Sequence, residues 1–182
     1  MNHLSRKKNG LRLDVGCGRK WRGDVNMDLH VQPTIHDLSR TTLPVHEIPN
    51  FIVADAHHLP FKDEAFSEVV CFHLLEHVKH PYKVLEEIHR VMEKGGSLIV
   101  EVPNANELVE MNREAHIYTW NKYTLRNLLG LLFKVEDIAT YGTEKFPMFK
   151  RYAPAINRIL TYLFPNKPPI NLRVRAYKRT SN

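Results

Sequence analysis

Short apolar runs with two different periods recur along the chain. Residues 11–15 alternate apolar and polar and stop at Gly16-Cys17-Gly18, the pattern of a buried strand ended by a tight glycine turn. Residues 24–28, 51–54, 66–72 and 97–102 have the same character, and 133–141 and 171–177 are two further strand candidates. The run at 97–102 is entered through Gly95-Gly96, expected to turn, and is left at Pro103. The helical period is clearest over 82–92, where Val84, Leu85, Ile88, Val91 and Met92 share one face. Pro81 suits the first turn of that helix, and Glu86 is spaced to pair with Arg90. Residues 124–133 and 155–164 predict two more amphipathic helices, the latter bracketed by Pro154 and Pro165.

Strands alternating with helices predict an α/β domain with a mostly parallel sheet. No internal repeat or domain boundary interrupts 1–182. In such sheets ligands sit outside the carboxyl ends of the strands. That places candidate chemistry at Gly16 to Gly18, Asp28, Asp55, residues 72–77 and Pro103-Asn104.

The glycines after the first strand let backbone approach a ligand closely. A dinucleotide fingerprint is disfavoured, because residues 19–28 already contain the second strand and leave no room for its long helix. An acidic residue ending the second strand can hold ribose hydroxyls, and one ending the third can accept from an adenine amino group. Asp28 and Asp55 occupy those two places; each alone also reads as a loop cap.

With these features in order, the sequence resembles the class I S-adenosylmethionine-dependent methyltransferases, within the group that includes quinone-biosynthesis enzymes. The stretches that carry the resemblance are LRLDVGCG (11–18), VNMD (25–28), ADAHHLPF (54–61), FSEVVCFHLLEHV (66–78) and VLEEIHRVMEKGGSLIVEVPN (84–104), and more loosely HIYTWNKYTLRNLL (116–129). The resemblance implies a Rossmann-like fold with a mixed seven-stranded sheet whose last strand is antiparallel. It implies S-adenosyl-L-methionine as cofactor, with Asp14, Gly16, Cys17 and Gly18 along its methionyl and ribose part. It puts Asp28 on the ribose, Asp55 and Ala56 on the adenine, and Phe72 and His73 at the sulfonium region. The group usually has Asp where this chain has Ser67, a lost structural contact. The short passage after Gly18 resembles a subgroup whose first helix is reduced to a loop.

Methyl transfer to an activated sulfonium needs alignment more than a nucleophile, which explains why no nucleophile motif is present. Where the acceptor must lose a proton, His77 is the candidate base or acceptor contact, since imidazole titrates near neutrality; the alternative is a cap on the loop before Pro81. His73, His77 and His80 are spaced as on one helical face. No cysteine or carboxylate completes a ligand set, and His57-His58 and His116 lack ligand spacing, so no metal is expected. The Asn/Asp-Pro-Pro-aromatic signature of nucleobase and glutamine-amide methylation is absent. A small-molecule acceptor is therefore expected over nucleic acid. A non-catalytic S-adenosylmethionine-binding module and an RNA methyltransferase are the alternatives.

Composition narrows this picture. The 182 residues are 43% hydrophobic and 25% charged, ordinary for one globular domain. No apolar run is long enough for a membrane-spanning helix, and the basic start MNHLSRKKNG has no apolar stretch behind it, unlike a secretory signal. Two cysteines, Cys17 and Cys71, make no disulfide framework, which predicts a reducing, cytoplasmic setting. The net charge of +6 lies entirely after residue 100. Residues 11–104 therefore read as the cofactor half and 105–182 as the acceptor half, with 143–169 an insertion. That insertion interleaves aromatics with Lys145, Lys150, Arg151 and Arg158, and reads as packing, a lid or a peripheral membrane contact.

Overall fold

The computed structural model describes residues 10–29, 45–105, 116–141 and 171–179. Among them, seven strands form one sheet: β1 (Arg12–Val15), β2 (Val25–Asp28), β3 (Phe51–Val53), β4 (Phe66–Phe72), β5 (Met92–Pro103), β6 (Phe133–Tyr141) and β7 (Asn171–Lys178). Helices α1 (Pro81–Val91) and α2 (Lys122–Gly130) accompany it. The strand order is β3-β2-β1-β4-β5-β7-β6. The first five strands are parallel, and β7 runs antiparallel between β5 and β6. The expected α/β fold with a mixed seven-stranded sheet is the one observed. The helix expected over 155–164 and the insertion 143–169 lie outside the described residues.

The order of the sheet positions the site. β1 lies inside the sheet, between β2 and β4, and its Leu13, Asp14 and Val15 are fully buried. An interior parallel strand is covered on both faces, so a charged residue there needs a reason. The core joins Leu13, Val15, Val69 and Val100 of the sheet to Val84, Leu85, Ile88 and Val91 of α1, and to Leu125 and Leu129 of α2.

Three local expectations are corrected. Arg90 does not pair with Glu86. Its guanidinium donates to Glu87, to Asp63 and to the carbonyls of Leu59 and Phe61, all at 2.8–2.9 Å. Three of these five directed bonds tie the 59–63 loop onto α1, a use of the planar fork that one i,i+4 pair cannot match; Glu86 faces Lys83 instead. Gly95-Gly96 is not a turn before the strand but lies inside β5, which begins at Met92 opposite Phe66. The register slips between Phe66 and Glu68, and a Cβ at Gly96 would stand 3.0 Å from the Ser67 carbonyl. Finally, α2 starts at Lys122, earlier than its apolar period, because the Asn121 side chain accepts the N–H groups of Tyr123 and Thr124.

Candidate functional site

The carboxyl ends of β1, β2, β3, β4 and β5 bring most of the sequence-predicted residues to one end of the sheet. The turn after β1 is held by backbone: Gly16 and Cys17 both donate to the Met27 carbonyl, at 2.9 and 3.0 Å. Gly16 has φ +73°, and Gly18 has φ +50° with open space where a Cβ would stand. Asp28, ending β2, accepts the Gly18 N–H at 3.0 Å, so the residue expected at the ribose also shapes the glycine turn. Burial pushes the Cys17 thiol up to about 12. Cys17 and Cys71 are both buried and unbridged, and serve as packing.

Asp14 is the unusual group. Its Oδ2 accepts the Arg22 N–H at 2.7 Å, with the Arg22 guanidinium 3.8 Å away. Its Oδ1 is buried without a hydrogen-bond partner among the described residues. Burial outweighs Arg22 and pushes the carboxyl up to about 6. A buried acceptor left over at the end of β1 is fitted to a donor from outside the protein. The S-adenosylmethionine implied by the sequence carries an ammonium and a sulfonium, and its methionyl part is the portion expected here. Arg22 was missed by the sequence reading. It lies in the shortened passage, and its guanidinium stacks 4.5 Å from the Phe72 ring centroid, with Arg173 5.2 Å from the same ring. Gly23 was missed too. A Cβ there would stand 2.3 Å from the Val25 carbonyl and 2.7 Å from the Asp14 nitrogen.

Beyond β3, Asp55 Oδ1 accepts the His57 N–H at 2.9 Å and faces His57 Nδ1 at 2.7 Å. Those bonds hold its carboxyl below the usual range, the backbone N–H acting most strongly. Asp55 is thus a loop cap and remains 47% exposed at the end of the sheet. Ala56 is buried beside it.

Beyond β4 the chain turns sharply at His73, with φ +52°. Its N–H donates to the Glu101 carbonyl at 2.8 Å, and its Nε2 lies 3.2 Å from Glu101 Oε1. Glu101 also receives Asn171 at 3.1 Å and Arg173 at 2.7 Å. Burial raises the Glu101 carboxyl, but His73 and Arg173 outweigh it and hold it below the ordinary range. The flanking carboxylates, Glu101 first and Glu76 second, raise His73 to about 9. Glu76 is 1% exposed. Its Oε1 is 3.4 Å from His73 Nδ1 and 3.9 Å from His77 Nε2, and neither oxygen has a hydrogen-bond partner among the described residues.

Residues 116–120 cross this loop. The Glu76 carbonyl accepts the N–H groups of Ile117 (2.8 Å) and Tyr118 (3.2 Å), and the Tyr118 hydroxyl donates to the Lys79 carbonyl at 3.0 Å. Trp120 in turn accepts the Ala105 N–H at 2.7 Å, beside Asn104. These bonds bring His116 against His77, ring centroids 4.9 Å apart. His80, expected on one face with His73 and His77, instead stands 6.0 Å from His57, because residues 73–80 are not helical.

A separate apolar cavity of about 420 Å³, lined by Leu11, Val25, Phe51 and Phe66 among others, opens at the opposite, amino ends of these strands.

The methyltransferase domain family matches residues 13–100. Two uncharacterized proteins of Methanocaldococcus jannaschii are 34% and 33% identical, over 60% and 84% of this chain and 48% and 73% of their own lengths. The ubiquinone/menaquinone biosynthesis C-methyltransferase of Bartonella henselae is 32% identical over 60% of this chain and 43% of its own. The chain thus spans about half the length, or less, of two of these three relatives. Among solved structures, a SAM-dependent methyltransferase of Archaeoglobus fulgidus superposes with a TM-score of 0.63, covering 95% of this chain and 88% of that one at 18% identity.

Proposed function

This chain belongs to the class I S-adenosylmethionine-dependent methyltransferase family, and from that membership we propose that it transfers a methyl group to a small-molecule acceptor. The observation that supports the reading is the buried Asp14 Oδ1, without a hydrogen-bond partner among the described residues, in the same turn as Gly18, where a Cβ would meet open space. Asp28 and Asp55 stand at the next two strand ends. Asp14 would take the ammonium of the methionyl part, with Gly16, Cys17 and Gly18 along it. Asp28 would hold the ribose, Asp55 and Ala56 the adenine, and Phe72 and His73 would line the sulfonium region. The bound donor supplies an activated methyl group. The protein's share is to orient it, exclude water and receive a proton from the acceptor where one must leave. His77, beside Glu76 and His116, would take that last role, as base or acceptor contact.

A small acceptor is favoured over RNA by how three of the four described basic residues near the C-terminus are used. Arg173 pairs with Glu101, Lys178 donates to the Met92 carbonyl, and Arg179 to the Gly130 carbonyl. Cations bound to the protein's own oxygens contribute less to a phosphate-binding face. The quinone-biosynthesis relative makes hydroxylated aromatics a reasonable first panel of acceptors.

Titration calorimetry with S-adenosylmethionine and its demethylated product tests the donor site. We expect saturable binding by the wild type, weakened roughly 30-fold or more by Asp28→Ala through lost hydrogen bonds of about 2 kcal/mol. No heat at high micromolar ligand would exclude the assignment. Donor binding without methyl transfer to any acceptor would favour a non-catalytic binding module.

A further inference from the structure

We propose that Glu76, His77 and His116 bind one divalent transition-metal ion of the zinc class. Each offers one ligating atom, and these atoms lie within 4.8 Å of one another. The grouping is unequal in a way that suits a metal. Glu76 is buried, with neither oxygen hydrogen-bonded among the described residues, whereas His116 is half-buried and His77 exposed. A buried carboxylate held this way calls for a cation. His73 meets only part of that demand, since its Nε2 is directed to Glu101 and its Nδ1 stays 3.4 Å from Glu76.

The site is built rather than accidental. The Glu76 carbonyl that accepts Ile117 and Tyr118 sets His116 beside His77, while the Glu76 side chain lies beneath them. Two imidazoles and one carboxylate form the donor set of a tetrahedral zinc site with its fourth position open. Magnesium and calcium prefer all-oxygen shells. Bond lengths of about 2.0–2.2 Å require the ligand atoms, within 4.8 Å of one another, to close on the ion. Metal binding is independent of the methyl-transfer reading. What rests on that reading is the consequence: His77, as a ligand, gives up the role of base, and an acceptor oxygen would take the open position.

Calorimetry with Zn²⁺ alone on the full chain is the test, with Co²⁺ absorption reporting coordination geometry. We expect one saturable Zn²⁺ site per chain, weakened at least ~10-fold by His116→Ala and by His77→Ala, and unchanged by His46→Ala, an exposed imidazole elsewhere. Co²⁺ should give the intense visible bands of four-coordination. No saturable binding, or equal affinity in wild type and His116→Ala, would overturn the proposal. Glu76→Gln should also abolish binding; if it fails to fold, His116→Ala still decides. Donor titration on the same samples keeps the two readings apart, because zinc binding can fail while S-adenosylmethionine still binds, and the reverse.

Discussion

The turn after β1 and the loop after β4 stand at the same end of the sheet and are built on opposite terms. Around the first, polar groups are answered from within: Gly16 and Cys17 by Met27, Gly18 by Asp28, Arg22 by Asp14. One acceptor, Asp14 Oδ1, is left over. Around the second, two buried carboxylates face a crowd of imidazoles, one of them on a residue with positive φ. The first is a shaped mould with a single open valence, as suits a ligand of fixed form. The second concentrates charge that only partly cancels, as suits an acceptor or an ion that varies in protonation. The difference implies that changes on the donor side act through shape, and changes on the acceptor side through charge and pH.

The largest effect should come from glycines, where shape is tested directly. A Cβ at Gly23 collides with backbone atoms that cannot move without breaking the β1–β2 pairing. Gly23→Ala should cost more than ~3 kcal/mol in denaturant unfolding, or prevent folding. At Gly18 the added methyl meets nothing. Gly18→Ala should cost only about 1 kcal/mol, for φ +50°, yet impair donor binding by filling the ligand's space. Equal destabilisation by both would erase the distinction between scaffold and mould.

Asp14 sharpens it further. A carboxyl raised from 3.8 to about 6 in the folded chain contributes stability below about pH 4 and loses it as pH rises through about 6. At pH 7 the buried charge therefore costs up to ~3 kcal/mol. Asp14→Asn should stabilise the ligand-free protein at pH 7, by about 1–3 kcal/mol, and make little difference at pH 4. The same change should weaken donor binding, and wild-type affinity should fall as pH drops below about 6. Thermal unfolding at the two pH values, with titrations alongside, reads both. An Asn variant that binds the donor normally would leave Asp14 a turn residue only.

How far the sequence revealed these two regions follows from the same difference. The strands, the glycine turn, Asp28 and Asp55 depend on local alternation and punctuation, which survive in one dimension. Arg22 and Gly23 were also local, but their meaning required knowing that β2 returns against β1 so soon. Gly23 reads as one more turn glycine until Asp14 and Val25 are seen closing on it. The acceptor side was less legible. His73 and His77 could be named from their strand end, but His116 joins them only through the bonds from Ile117 and Tyr118 to the Glu76 carbonyl. Ligand spacing along the chain therefore could not show that Glu76, His77 and His116 come together. Arg90 teaches the same lesson: periodicity pointed to Glu86, while Glu87 and a loop distant in sequence, through Asp63 and two carbonyls, took its donors.

On the charged side, His73 predicts a weaker effect in the same pH direction, set at higher pH. Its folded value of about 9 lies above the ordinary 6.5, so its ion-pair stabilisation is complete below about pH 6.5 and is lost as pH rises through about 9. The ring is 44% exposed, so solvent screens the pair and the loss should be a shift of a few degrees in Tm between pH 7 and pH 10. His73→Gln should flatten that part of the profile. A wild-type profile already flat there would mean that Glu76 and Glu101 do not hold an imidazolium.

The smallest expected effect lies between the two regions, at His57. Its ring faces Asp55 Oδ1 at 2.7 Å, which taken alone suggests a residue that aims the adenine-side carboxylate. But the His57 backbone N–H reaches the same oxygen at 2.9 Å and is the stronger influence on it. That bond survives any side-chain change. Asp55 is also about half exposed, so losing the ring exchanges a hydrogen-bonding partner for water at little cost. His57→Ala should therefore change donor affinity by no more than ~3-fold and stability by less than about 0.5 kcal/mol. If it instead weakens binding as much as Asp55→Ala does, the ring and not the backbone orients Asp55. The electrostatic style of the acceptor side would then extend into the donor mould.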